Sequence, residues 1–219
     1  MAIYFVLVIV AGYLCGCLES GYLVGKMNGI DIRDYGSGNA GSTNVLRVLG
    51  KSKALMTFLG DTLKGFIPVM LVKHVLCPNV PVLADEPVKS LIILVTGFAV
   101  VLGHDYTFFL HFKGGKGVAT TGAVMLAFDW RMGLTSLLIF IIVVSLTRYV
   151  SLSSITMSIC LLPEMLIWHP GRWDLFCMAC LFCWFIVWRH RTNIKRLLNG
   201  TESKLGQKVK VNQNQVEEK

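Results

Sequence analysis

The chain has 219 residues, 54% hydrophobic and 16% charged, with a formal net charge of +8. Soluble domains carry about 25% charged residues, and here the apolar residues fall in long runs. That excludes an ordinary water-soluble domain and points to a helical membrane protein, because inside lipid the backbone must satisfy its own hydrogen bonds.

The first apolar segment covers 2–25. No basic stretch precedes it, since the first positive side chain is Lys26, and no small-residue cleavage signal follows, so it reads as a retained span. Next comes Tyr35-Gly-Ser-Gly-Asn-Ala-Gly-Ser-Thr-Asn44, closed by Arg47. Gly36, Gly38 and Gly41 have the spacing of a dinucleotide-binding turn, and Asp61 follows 20 residues later. That fingerprint needs a strand before it and a helix after it, and no βαβ pattern surrounds it. A glycine loop also presents backbone N–H groups to anionic oxygens. Ser37, Asn39, Ser42, Thr43 and Asn44 add neutral donors, and Arg47 can grip phosphate through two nitrogens. A plain polar turn is the alternative.

The second segment, 54–76, holds Asp61 and Lys64, spaced to pair on a helix. Ionisable groups inside a span are costly and mark function by default; a structural pair is the alternative. Glu19, and His104 with Asp105 in the third segment, 88–110, raise the same question. Phe112-Lys-Gly-Gly-Lys-Gly-Val118 then places Lys113 and Lys116 around a glycine pair at a helix start, which makes an anion site. Gly117, rather than Ser or Thr, follows Lys116, so this is no Walker loop. The fourth segment, 117–129, is short and rich in Gly, Ala and Thr. After the fifth, 132–147, Arg148-Tyr-Val-Ser-Leu-Ser-Ser154 supplies hydroxyls at Ser151, Ser153 and Ser154, or an ordinary helix cap. The sixth and seventh cover 152–168 and 173–188, the last with Trp173, Trp184 and Trp188 as interface anchors. In the basic stretch that follows, His190 and Asn193 share a helix face. The seven cysteines lie mostly within apolar runs and read as packing residues.

Positive charge is unevenly divided. The loops 26–53, 111–117 and 148–151 and the tail from 189 hold 16 Lys and Arg; the opposite loops hold Lys89, Arg131 and Arg172. The positive-inside rule places the first set in the cytoplasm and the N-terminus outside. An odd number of spans follows, so the fourth segment must cross. The expected fold is all-α and polytopic, with seven transmembrane helices and a cytoplasmic C-terminus. Residues 1–200 form one domain and 201–219 a polar tail, its last ten residues disordered.

GSGNAGSTNVLRVLGK, GHDYTFFLHFKGGKGVAT, RYVSLSSI and RHRTNIKRLL, in this order and between these spans, closely resemble the bacterial acyl-phosphate:glycerol-3-phosphate acyltransferase (PlsY) family. The similarity runs from about residue 10 to about residue 202. It implies an enzyme of the bacterial inner membrane, its site on the cytoplasmic side. Such an enzyme moves an acyl chain from acyl phosphate to the 1-hydroxyl of sn-glycerol 3-phosphate and makes lysophosphatidic acid and phosphate. Carried over by position, Ser37, Arg47, Lys116, His190 and Asn193 are the catalytic set. Gly38, Asn39, Thr43, Asn44, Lys113, Gly114, Gly115, Gly117, Ser151 and Ser154 contact substrate or phosphate, with Lys64 as a further cation. Ser42 stands where the family often has Ala. No cofactor, metal or nucleic-acid partner is implied; the partners are the two substrates and the bilayer.

The residues fit that chemistry on their own terms. Two phosphate-bearing reactants need several cations, and a mixed anhydride needs positioning and charge stabilisation more than a covalent nucleophile. His190 is the histidine available as a base, while the resemblance gives the proton to the donor's phosphate, leaving His190 to bind or orient. His169-Pro-Gly-Arg-Trp-Asp174 matches the His-x4-Asp signature of unrelated acyltransferases, but the charge count puts it on the far side. A transporter of a phosphorylated solute is the competing reading; it predicts internal repeats, and none is seen.

Overall fold

The computed structural model describes residues 1–207, so the disorder expected for the chain's last ten residues lies outside the described residues. Every regular element described is helical. In chain order they are α1 (Ala2–Gly16), α2 (Ser20–Met27), α3 (Ser42–Leu49), α4 (Lys51–Leu71), the one-turn helices α5 (Cys77–Asn79) and α6 (Pro81–Ala84), α7 (Val88–Asp105), α8 (Val118–Phe128), α9 (Trp130–Thr147), α10 (Val150–Trp168), α11 (Trp173–Arg189) and α12 (Arg191–Leu198).

The helices meet where the sequence places glycine. Gly12 and Gly16 of α1 lie against the backbone of Thr96, Val100 and Gly103 on α7. Gly65 of α4 meets Thr120 and Ala123 of α8, and Gly133 of α9 meets Leu126 of α8. Small residues let helix axes approach closely, which is how helices associate where lipid offers no hydrophobic drive. Phe182, Ile92, Leu94, Met125, Leu161 and Met165 fill the centre and are fully buried. The outer faces stay greasy: Leu7, Val10 and Leu14 of α1 and Leu137, Leu138 and Ile141 of α9 are exposed. Apolar surface of that extent belongs against lipid rather than water.

Five helical stretches are long and apolar enough to cross a membrane: Ala2–Met27, Lys51–Asn79, Val88–Leu110, Trp130–Thr147 and Val150–Trp168. A sixth arises if α11 and α12, bent by 59°, count as one. Of the seven expected spans the fourth, α8, fails on length. Its 11 residues reach only about 16 Å at about 1.5 Å per residue, against an apolar thickness of about 30 Å. The reason is visible in the chain before it. After Asp105 the chain leaves α7, turns at His111 and Phe112, both with positive φ, and doubles back. Gly114 and Gly115 return far enough to donate to the carbonyls of Asp105 and His104, at 3.2 and 2.9 Å. So α8 starts a turn or more inside the bundle. It ends at Phe128, whose carbonyl accepts from Lys73 (2.8 Å) and whose ring packs on His169. That is the opposite end of α10 from Ser151.

Candidate active site

The glycine and hydroxyl loop is held by its own side chains. Asp31 caps the 3-10 turn Ile32–Asp34 and pairs with Arg33 at 2.7 Å. Asn44 is the loop's internal strut: its Oδ1 accepts from the Ser37 N–H (2.9 Å). Its Nδ2 is shared among the carbonyls of Ile32, Tyr35 and Asn39, at 3.1, 3.0 and 2.9 Å. Val24, Ile30, Ile32, Ala40, Val45 and Ala54 form a small apolar core beneath it. Arg33 then reaches the carbonyls of Leu110 and Lys113, at 3.3 and 3.4 Å, and ties this loop to the lysine turn.

The lysine turn needs its glycines for a different purpose from the one expected. A Cβ on Gly114 or Gly115 would overlap His104, on which the turn folds back, and Gly117 carries a φ of +67°. Arg189 of α11 donates to the carbonyls of Gly114 and Gly115 and packs on the Tyr106 ring, so a cation outside the turn clamps it. The outcome separates the two lysines. Lys116 turns inward and its Nζ lies 2.5 Å from Asn193 Oδ1, while Lys113 is exposed.

The start of α10 and the α11–α12 bend close the other side. His190 sits at the bend, buried, and its Nδ1 donates to the Ile186 carbonyl at 2.8 Å, which leaves Nε2 as the acceptor of a neutral ring. Asn193 donates its Nδ2 to Glu202 Oε1 at 2.7 Å. Ser151 Oγ donates to the same oxygen at 2.8 Å, and Arg196 Nε donates to Glu202 Oε2 at 2.6 Å. Ser154 donates to the Val150 carbonyl of its own helix and keeps its lone pairs free.

Between these elements lies one cavity of about 470 Å³. Ser37, Asn39, Thr43, Asn44, Arg47, Lys116, Gly117, Ser151, Ser154, His190 and Asn193 line its polar end. It continues between α8, α9 and α10 past the apolar Gly122, Leu126, Leu137, Ile141 and Met157. Gly38, Lys64, Lys113, Gly114 and Gly115 do not line it. Asp61, His104 and Glu202 do. Burial pushes the Lys116 ammonium down to about 8; Glu202 opposes this, while Arg196, Arg189 and Arg47 reinforce it. Burial likewise lowers Arg47, against the pull of Glu202. Burial would raise the Glu202 carboxyl, but hydrogen bonds from Asn193, Arg196 and Ser151 outweigh it and hold the acid below its usual range. A site whose cations are short of counter-charge is a site for anions.

Lys64 departs from its expected role as a phosphate ligand. It pairs with Asp61 at 3.1 Å, as the spacing predicts, and stands 3.6 Å from Glu19 Oε1. Its Nζ also donates to the Leu18 carbonyl at 2.7 Å. That carbonyl lies in the break between α1 and α2, where no helical N–H reaches it, so a buried donor must. His104 Nδ1 completes the cluster, 2.9 Å from Glu19 and 2.7 Å from Lys64. The cluster forms the floor of the cavity, and Lys64 is spent within it. The His-x4-Asp decoy comes apart: His169 bonds to Asp129 at 3.1 Å, Asp174 pairs with Arg172, and both lie at the far end.

Glu202 was missed, since the sequence division put it in the tail. One signal was present: it is the first acid after Asp174, behind a run of Arg and Lys. Periodicity could not show that Gly200, with a φ of +68°, turns the chain back onto the site.

With this geometry in view, the family model described as glycerol-3-phosphate acyltransferase matches residues 6–200. The chain is 42% identical over 210 residues to a glycerol-3-phosphate acyltransferase of Thermoanaerobacter sp. (strain X514), covering 95% of this chain and 99% of that one. It is 41% identical over 205 residues to one of Prochlorococcus marinus (strain MIT 9312), covering 92% and 98%. Among solved structures it is similar to the glycerol 3-phosphate form of PlsY (YgiH), an integral membrane glycerol 3-phosphate acyltransferase, with a TM-score of 0.81, 38% identity and coverage of 92% of this chain and 96% of that one. The lysophosphatidic acid form of PlsY aligns with a TM-score of 0.79 and 36% identity, covering 93% and 96%. The chain belongs to the glycerol-3-phosphate acyltransferase family.

Proposed function

We propose that this protein transfers the acyl chain of acyl phosphate to the 1-hydroxyl of sn-glycerol 3-phosphate, giving 1-acyl-glycerol 3-phosphate and inorganic phosphate. The observation that carries the reading is the two-part cavity. Its cationic, hydroxyl-lined end, with Arg47, Lys116, Ser151 and Asn193, runs directly into an apolar groove between α8, α9 and α10. One compartment can hold a water-soluble dianion and the head of a greasy one, with the acyl chain along the groove. The uneven charge of the loops supports a place in the bacterial inner membrane with this end in the cytoplasm. Residues 1–200 act as one membrane domain, onto which the segment with Glu202 and Ser203 folds back.

In the reaction the 1-hydroxyl oxygen attacks the carbonyl carbon of the acyl phosphate. A carbon–oxygen bond forms, the carbonyl carbon–phosphate oxygen bond breaks, and the departing phosphate takes the hydroxyl proton. Arg47 and Lys116 offset the charge that gathers as two phosphates meet. The hydroxyls of Ser37 and Thr43 donate to the phosphates, and Ser151 and Ser154, whose protons are committed to Glu202 and Val150, offer lone pairs to the glycerol hydroxyls. His190, with Nδ1 committed to Ile186, presents an acceptor that fixes a substrate hydroxyl. The test is release of inorganic phosphate by purified protein given palmitoyl phosphate and glycerol 3-phosphate, without CoA or added metal. Release that requires both substrates is expected. No release from protein that still binds glycerol 3-phosphate, with uptake of that solute into proteoliposomes, would overturn the reading in favour of a transporter.

A further inference from the structure

Two acids that line the cavity are not used by the acyl-transfer reading: Asp61, which pairs with Lys64 in the floor, and Glu202. Glu202 lies beyond the last membrane helix, yet it is 7% exposed and takes three hydrogen bonds, from Ser151, Asn193 and Arg196. A carboxylate beside a phosphate site is costly, because it repels the incoming anion. Its position has to be explained by what it does to its neighbours.

Asn193 is the neighbour that matters. An amide has a donor end and an acceptor end, and only one can face Lys116. Glu202 Oε1 takes the Nδ2 donor at 2.7 Å, and that commits Oδ1 to the Lys116 ammonium at 2.5 Å. Turned the other way, Asn193 would aim an N–H at a cation and give Glu202 an oxygen. The same Oε1 also fixes the Ser151 hydroxyl, and Oε2 holds Arg196 off the cavity at 2.6 Å. Resting on the acyl-transfer reading, we propose that Glu202 is a positioning residue: it sets the orientation of the Asn193 amide and thereby the place and charge of Lys116.

The charged and titratable groups around Lys116 are Arg47 on α3, Arg189 and the neutral His190 at the end of α11, Arg196 on α12 and Glu202. Glu202 is the only one of these that favours the ammonium. Without it, Lys116 loses its proton at lower pH, so the high-pH limb of the rate profile moves down.

The test uses the full chain with Glu202→Gln and Glu202→Ala. It measures kcat and KM for glycerol 3-phosphate across pH, beside calorimetric binding of glycerol 3-phosphate. Both variants are expected to move the high-pH limb down by about half a unit or more. Ala should raise KM by about tenfold. Gln, whose carbonyl still accepts from Asn193, should raise it less. An unmoved limb in both variants, with KM within about twofold of the parent, overturns the proposal. So does tighter binding in either variant, which would make Glu202 a competitor for the phosphate site. If Ala fails to fold, Gln decides. A parent protein that binds glycerol 3-phosphate but releases no phosphate sinks the acyl-transfer reading, and the pH dependence of binding still tests Glu202.

Discussion

Replacing Lys64 with Met separates two roles that the sequence left together. The side chain is 5% exposed, its ammonium is 3.1 Å from Asp61 and 3.6 Å from Glu19, and it satisfies the stranded Leu18 carbonyl at 2.7 Å. Met keeps the volume and removes the charge and the donors. Glu19 and Asp61 would then share only His104, and Leu18 would have no donor. Breaking a buried ion pair from one side costs about 3–5 kcal/mol, and an unsatisfied buried carbonyl adds about 1–3 kcal/mol. These terms overlap, so about 3–5 kcal/mol is the net expectation. For a chain of this size each kcal/mol moves the melting temperature by about 2–4 °C, which gives a drop of roughly 6–20 °C. Thermal unfolding in detergent micelles reads it directly, and KM for glycerol 3-phosphate is measured below the new midpoint. The expected result is a large fall in melting temperature with KM little changed. An unchanged melting temperature with a steeply raised KM would mean that Lys64 grips phosphate and that its cluster is not structural.

Arg47→Ala and Lys116→Ala should each lower kcat/KM by about a hundredfold or more, whereas Lys113→Ala, whose side chain stands outside the cavity, should stay within about threefold; equal losses in all three would misplace the anion site. Affinity for glycerol 3-phosphate should fall as pH rises through about 8, where Lys116 loses its charge. Folding stability moves the other way, since the unfolded chain keeps that proton to higher pH and the cost of burying it fades above about 8; calorimetric titrations at several pH values check the first trend and thermal melts the second. His190→Ala should keep measurable turnover with an altered KM, and a loss of about four orders in kcat with affinity intact would make His190 the base.

What was legible in the sequence divides along a physical line. Helices, their order and the clustering of the polar loops at one end follow from apolar runs and charge asymmetry, which are local quantities. The Asp61–Lys64 pair follows from helical spacing. The depth of α8 was not legible, because it depends on a turn that folds back against His104, a contact between segments that no window of the sequence contains. The glycines of that turn read as an anion cradle, since a glycine permits close approach without saying to what. Asn44 was read as a ligand for the same reason: its type fits a phosphate, and its use as the strut of its own loop appears only when Ile32, Tyr35 and Asn39 are seen to converge on it.

The deeper limit is that a sequence displays cations but not their counter-ions. Lys64 was offered to phosphate, and Arg33, Arg189 and Arg196 stood among the positive charges counted on the same side. In the folded chain Lys64 answers Asp61 and Glu19, Arg33 answers Asp31, Arg196 answers Glu202, and Arg189 is used on two backbone carbonyls. Arg47 and Lys116 differ. Arg47 has a carbonyl, that of Ser203, at 3.3 Å, and Lys116 has an amide oxygen at 2.5 Å. Both are cations held by neutral acceptors in a cavity that water leaves poorly solvated, so each gains more from an arriving phosphate than a cation already paired with a carboxylate would. Under the proposed acyl transfer, the substrate-facing charges are therefore found by elimination: carboxylates claim Lys64, Arg33 and Arg196, the carbonyls of the lysine turn claim Arg189, and Arg47 and Lys116, facing dipoles within the cavity, are left for the reactants.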